Sequence, residues 1–166
     1  MAQFNVNTHR FDPYKNFKFR VKWDGRYVAG VKKISMIGFK TEPIAFREGG
    51  DPSTQRLSPS VFTFEPVSFE RGITYDTEFE KWAQLVHHPG GDGGMSLKNF
   101  RKDIYIELLD EAGRVVKGYK LYRCWVIEYN ALPELDSEGN AIAIELLKVA
   151  YEGFERDIGV VEQLET

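Results

Sequence analysis

Phe17, Phe19, Val21 and Trp23 alternate with Lys18, Arg20, Lys22 and Asp24. A period of two puts the apolar set on one face of a strand and the charged set on the other. Asp24-Gly25 follows at once and suits a tight hairpin turn, which makes 26–36 the return strand. Residues 37–60 break the pattern. A further strand fits 37–46, but Glu48-Gly49-Gly50-Asp51-Pro52 and Pro59 are turn-rich. The stretch 39–60 therefore reads as a long excursion projecting from the core. Irregular connections of this length are uncommon and mostly functional; the plain alternative is a solvent-exposed hairpin without a partner. The strand pattern resumes over 61–70, with Pro66 marking an edge, a bulge or a bend.

One segment has helical spacing. Phe79, Trp82, Ala83 and Val86 recur on one face while Glu78, Glu80, Lys81 and Gln84 lie elsewhere, predicting a helix over 76–88. Thr77 with Glu80 fits a capping box, Asp76 is an alternative cap, and His87-His88-Pro89-Gly90 ends the run. A single amphipathic helix must lay Phe79, Trp82 and Val86 against a sheet. Beyond the glycine-rich 90–94, strands fit 103–109, 115–130 (interrupted near Gly118) and 142–154, with turns at 110–113 and 133–140. Leu146 and Leu147 are adjacent, which blurs alternation in the last strand and implies apolar contacts on both faces; a helix over 141–149 is the competing reading. Residues 158–166 form an acidic tail. The expected fold is mostly β: an antiparallel β-barrel or sandwich-like domain with one packed α-helix and a long projecting loop or hairpin.

Composition adds limits. The chain has 166 residues, enough for one domain with its own core, and 14% aromatic residues, which favour pleated sheets. The formal net charge is -3 and the early basic residues alternate with apolar ones, so the concentrated positive footprint of a nucleic-acid binder is missing. One cysteine, Cys124, sits in a strand-like run and reads as a buried structural thiol. The first residues, Met1 to His9, are polar, unlike a signal peptide, and no stretch approaches the length of a membrane helix. Synthesis in the cytoplasm is expected, with a particle built from the chain remaining there, anchored at a membrane, or released.

The search for chemistry yields no catalytic, cofactor or metal candidates. His87 and His88 are adjacent and cannot share a helical face; His9 lies in the arm. Gly90-Gly91-Asp92-Gly93-Gly94 lacks the Lys-Ser or Lys-Thr of a phosphate-binding loop. Ser58, Ser60 and Ser68 have no accompanying base. The chain is therefore read as non-enzymatic. A sheet with edges must close, cover them or share them with another chain. On the residues alone, an assembly subunit, a monomeric small-ligand β-barrel and a peptide-binding module all stay open.

Several stretches in order are more specific together than any one alone: Asp12-Pro13-Tyr14-Lys15-Asn16-Phe17-Lys18-Phe19-Arg20-Val21, Phe46-Arg47-Glu48-Gly49-Gly50-Asp51-Pro52-Ser53-Thr54, Phe69-Glu70-Arg71-Gly72-Ile73-Thr74, Phe100-Arg101-Lys102-Asp103-Ile104, Tyr122-Arg123-Cys124-Trp125 and Tyr151-Glu152-Gly153-Phe154-Glu155-Arg156. In these the chain resembles the inner tube proteins of contractile phage tails and phage tail-like contractile injection systems. The resemblance covers roughly 12–157 and implies a single tube-type β domain after an arm at 1–11. It implies hexameric rings of identical subunits stacked into a hollow tube inside a sheath, with sheath and baseplate proteins as partners and cargo in the lumen. It also implies that 39–60 docks on the next ring, through Phe46, Arg47, Glu48, Asp51, Arg56 and Leu57. Family members often carry a Pro-Gly pair after this segment, where this chain has Ser58-Pro59-Ser60, and 34–39 also departs from the commonest pattern. The role of main tube subunit and that of a baseplate-proximal tube-initiator paralogue both remain open on these residues.

Overall fold

The computed structural model describes residues 18–28, 30–50, 53–91 and 98–161. The arm at 1–11 and most of the acidic tail lie outside them. Strands β1 (Phe19–Trp23) and β2 (Arg26–Val28) form the expected hairpin. Asp24 and Gly25 both have positive φ, 52° and 72°, the backbone of a two-residue turn whose twist matches that of the strands. Val21 and Trp23 are buried, and Lys22 on the other face is not.

The return strand does not run to residue 36. At Gly30 the backbone turns into the left-handed region (φ 76°), and β3 (Val31–Ile34) leaves β2 to pair with β6 (Val67–Gly72). The strand order is β2-β1-β7-β8-β9-β6-β3, with β7 at Lys102–Leu109, β8 at Val115–Asn130 and β9 at Ile144–Ala150; β10 (Gly153–Arg156) pairs with β8 beside this path. Every pairing is antiparallel. The sheet is not a closed barrel. Among the described residues its two edge strands, β2 and β3, carry no ladder between them.

The sheet turns its corner within β8. This strand is continuous over 16 residues, so Gly118 is not an interruption. A Cβ at Gly118 would sit 2.9 Å from Cζ of Tyr105 and closer still to its hydroxyl; the glycine makes room for that ring. The irregularity lies further on. Lys102 pairs with Cys124 and Ile104 with Leu121, so β8 carries one extra residue, and Arg123 there has φ 52°. Arg123 N–H donates to Asp103 Oδ1 at 3.1 Å instead of to the ladder. β8 pairs with β7 as far as Cys124 and with β10 as far as Tyr122; from Trp125 on it pairs with β9.

The run 142–154 is strand, not helix, and splits at Tyr151 into β9 and β10. Within β9 the alternation is strict. Glu145, Leu147 and Val149 face inward while Leu146 is half-buried, so the adjacent leucines do not bury both faces equally.

Helix α1 (Glu78–Val86) lies against β8. Phe79 and Trp82 are fully buried and Val86 is half-buried. The Trp82 ring lies 5.0 Å from that of Trp23, which also meets Phe69 at 5.9 Å and Phe79 at 5.8 Å. Trp82 Nε1 donates to the carbonyl of Phe100 at 2.8 Å. The capping box does not form. Thr77 makes no side-chain cap, and Asp76 Oδ1 instead accepts from Glu78 N–H at 3.0 Å. Beneath the helix start lies a buried charge network. Arg71 pairs with Glu145, stacks on Phe79 with Cζ 4.1 Å from the ring centroid, and donates through Nη2 to the carbonyl of Asp76 at 2.8 Å. Its Nη1 lies 3.1 Å from Asp76 Oδ2, within ion-pair range but off the hydrogen-bonding direction. Tyr129 donates to Glu145 from the other side at 3.1 Å.

A candidate assembly surface

The projecting segment, expected as a long loop or hairpin, is a regular two-stranded ribbon. Strand β4 (Phe39–Phe46) pairs with β5 (Arg56–Phe64), and this pair forms a sheet of its own. The ribbon runs past residue 60. The alternating Val61-Phe62-Thr63-Phe64 looks like a core strand in the sequence but completes the second arm, and Pro66 then separates it from β6.

The root is fixed and the remainder is exposed. Gly38 N–H donates to Tyr151 Oη at 3.2 Å, and Tyr151 Oη–H donates back to the Gly38 carbonyl at 3.0 Å. Glu65 N–H reaches the same carbonyl at 3.3 Å. Phe39, Phe62, Phe64 and Phe154 then line a shallow apolar groove of about 360 Å³, and Phe64 also packs on Tyr151 at 5.7 Å. Outward from there, Ile44, Phe46, Leu57 and Val61 are more than half exposed, Leu57 at 69%. Two-stranded ribbons are marginally stable in water by themselves. Such a row of exposed apolar side chains is the mark of an interaction surface.

Two prolines limit how that surface engages a partner. Pro43 and Pro59 lie opposite each other, where the register also shifts. Neither has an N–H, so an added strand would lack donors at this level on either edge. The ribbon is built to be held by its side chains.

Of the residues expected to dock, Phe46 and Arg56 are partners in the last pair before the tip, and Leu57 lies opposite Ala45. Arg47 and Glu48 follow β4 into the turn and are exposed. Asp51 lies outside the described residues. Met36, Phe39, Val61 and Phe62 are also exposed. They lie outside the set expected to dock; for Val61 and Phe62 the signal is the alternation of 61–64, which fits a ribbon and a core strand equally.

A second exposed cluster lies at the far end of the sheet. The connection 131–143 between β8 and β9 displays Leu132, Leu135 and Ile142, the last at 80% exposure. Other grooves are open and unlike a reaction centre. One of about 630 Å³ runs between the β1–β2 turn and β10 and is lined by charged residues, among them Asp24 with Lys102 beside it. Among the described residues no group of three His, Cys, Asp or Glu side chains is placed to hold a metal, and no helix is long and apolar enough to cross a membrane. Burial pushes the Cys124 thiol up to about 12.

An open antiparallel sheet, one packed helix and a projecting apolar ribbon define a structural subunit of the tail-tube type. The chain belongs to the family described as T4-like virus tail tube protein gp19, whose model matches residues 15–155. Among solved structures it is similar to a chain in the cap of the anti-feeding prophage (AFP tube terminating cap), at TM-score 0.76 and 17% identity, covering 95% of this chain and 99% of that one. A chain in the AFP baseplate, 6-fold symmetrised, gives TM-score 0.73 at 17% identity over 87% of this chain and 95% of that one. A chain in the sheath-tube complex of an extracellular contractile injection system (PVC), in the extended state, gives 0.74 at 16% over 95% and 99%. No curated protein matches the sequence significantly.

Proposed function

We propose that the chain is a non-enzymatic subunit of the inner tube of a contractile injection system, assembling as six-membered rings that stack inside a sheath on a baseplate. The observation that carries this is the β4–β5 ribbon. It pairs with no strand of the main sheet, and it displays Ile44, Phe46 and Leu57 to solvent. The ribbon acts as an axial docking element that the next ring covers. Family membership supports the tube role, and likeness to chains of a sheath–tube complex and of a baseplate supports sheath and baseplate proteins as partners. Made in the cytoplasm, the subunit needs no insertion into a membrane, and the stacked lumen accommodates cargo.

The likeness to a baseplate chain favours a second reading, a tube initiator that forms one ring on the baseplate. Negative-stain microscopy of the purified full chain separates the two. Unaided long tubes are the result for the main tube subunit; rings that do not stack are the result for an initiator; a monomer at every concentration overturns both. Removing residues 49–56 should leave a folded domain by circular dichroism and abolish long tubes. Long tubes of wild-type length from that variant would eliminate the axial role.

A further inference from the structure

We propose that the receiving surface for the ribbon is the 131–143 connection of a second copy of this chain, making the axial contact head to tail. The inference rests on the axial reading above and names its other half. Strand register places the two surfaces at opposite ends of the same sheet. β6 begins beside the ribbon root, where Glu65 N–H reaches the Gly38 carbonyl, and ends at Gly72 opposite Ile144. Immediately beyond, Ile73 N–H donates to the carbonyl of Ala143, the last residue of the connection, at 3.0 Å. The ribbon therefore leaves one end of β6 and the connection borders the other, roughly 20 Å apart at the rise of an extended strand. A projecting element at one end and its acceptor at the other repeat without closing, which is what a stack requires.

The chemistry of the two surfaces is complementary. The ribbon offers Ile44, Phe46 and Leu57, all more than half exposed, with the exposed cation Arg47 just beyond Phe46. The connection offers Leu132, Leu135 and Ile142, also all more than half exposed, among Glu134, Asp136 and Glu138. No basic residue lies between 131 and 143, and none of these three carboxylates has an ion-pair partner among the described residues. Apolar side chains at the centre of such a contact supply the burial, and a cation against a carboxylate cluster fixes the register. Glu138 N–H and Gly139 N–H fold back onto Asp136, at 3.0 Å to Oδ1 and 3.1 Å to its carbonyl, so the acidic turn holds its shape before a partner arrives.

Paired cysteines test the contact in assembled full-length protein. Arg47→Cys and Leu135→Cys in one chain, oxidised after assembly, should give a ladder of covalent multimers on a denaturing gel. Each single variant should stop at a dimer or below, because the remaining Cys124 is buried. Arg47→Cys with Ser137→Cys is the alternative where the leucine change blocks stacking. Independently, reversing Glu134 and Glu138 to lysine should shorten tubes at least tenfold, and adding Arg47→Glu should restore them. Tubes of normal length without a tip-to-connection cross-link, or charge reversals that leave length unchanged, overturn this receiving surface while leaving the axial role intact. Normal tubes from the variant lacking 49–56 would instead overturn the axial role and this inference with it.

Discussion

The hydroxyl of Tyr151 both accepts from the N–H of Gly38 and donates to its carbonyl, at 3.2 and 3.0 Å. One side chain thus satisfies both backbone groups of the residue from which the ribbon springs. Tyr151 is itself nearly buried, at the break between β9 and β10. The ribbon takes its direction from the core through this residue.

Tyr151→Phe keeps the ring and removes both hydrogen bonds. The expected cost is about 1–3 kcal/mol in a denaturant melt, since a partly buried N–H loses its acceptor. Amides of 39–64 should exchange faster, with those of β7 and β8 following the global change alone. Uniform acceleration across the whole chain would show that Tyr151 stabilises the core and has no particular hold on the ribbon.

Arg71 is 1% exposed and meets Glu145, itself 6% exposed. Arg71→Met strands that carboxylate and should cost about 3–5 kcal/mol. Adding Glu145→Gln removes the stranded charge but keeps an acceptor for Tyr129, and should recover more than half of the loss. Equal melts for the single and double variants would mean that the lost guanidinium contacts, not the orphaned charge, set the cost.

Gly118→Ala forces the new methyl against Tyr105, and the tyrosine is tethered by its hydrogen bond to Asp157. Overpacking of this kind costs about 1–3 kcal/mol. In a Tyr105→Ala background the same change should be nearly neutral, a coupling read directly from the double-mutant cycle. A full cost in both backgrounds would place the strain in the β8 backbone.

The Tyr105–Asp157 pair also predicts a pH dependence. The hydrogen bond from Tyr105, and then the N–H of Gly159, hold the Asp157 carboxyl below its ordinary value. Desolvation first, and then Asp157, push the tyrosine up to about 12. A depressed carboxyl stabilises above its unfolded pKa of about 4, and that contribution is lost as pH falls through the folded value. A raised phenol stabilises below about 10, with loss as pH rises through about 12. Tyr105→Phe should therefore differ most from wild type at neutral pH and converge on it in acid. A gap that stays constant down to about pH 2 would remove Asp157 from the account.

The sequence was most informative where one local rule governed. Asp24-Gly25 needs only the turn it occupies, and Phe79 with Trp82 needs only a helix with a buried face. It misled where a tertiary partner decided the outcome. Gly30 diverts β3 to a strand nearly forty residues away, which nothing near Gly30 announces. Thr77 loses the cap to Asp76, whose backbone carbonyl and carboxylate are drawn to Arg71. Arg71 and Glu145 are charged residues on the inner face, and nothing near either one in the sequence announces the other as its partner. The bulge at Arg123 is legible only against β7, because its extra residue has no signature of its own. In the ribbon, alternation gave the strands but not what they face, since a ribbon and a core strand share one period.

The pairing of β6 with β9 has a mechanical consequence. β6 starts at the ribbon end, β9 starts at the 131–143 end, and the two run antiparallel through six matched positions, Val67 opposite Val149 to Gly72 opposite Ile144. A pull applied between the ribbon and the connection acts along these strands in opposite directions. It shears the ladder, loading all its hydrogen bonds at once; a pull across the strands would peel them singly. Tension along that line therefore meets this ladder in its stiffer direction, and a crosswise pull meets it in its weaker one.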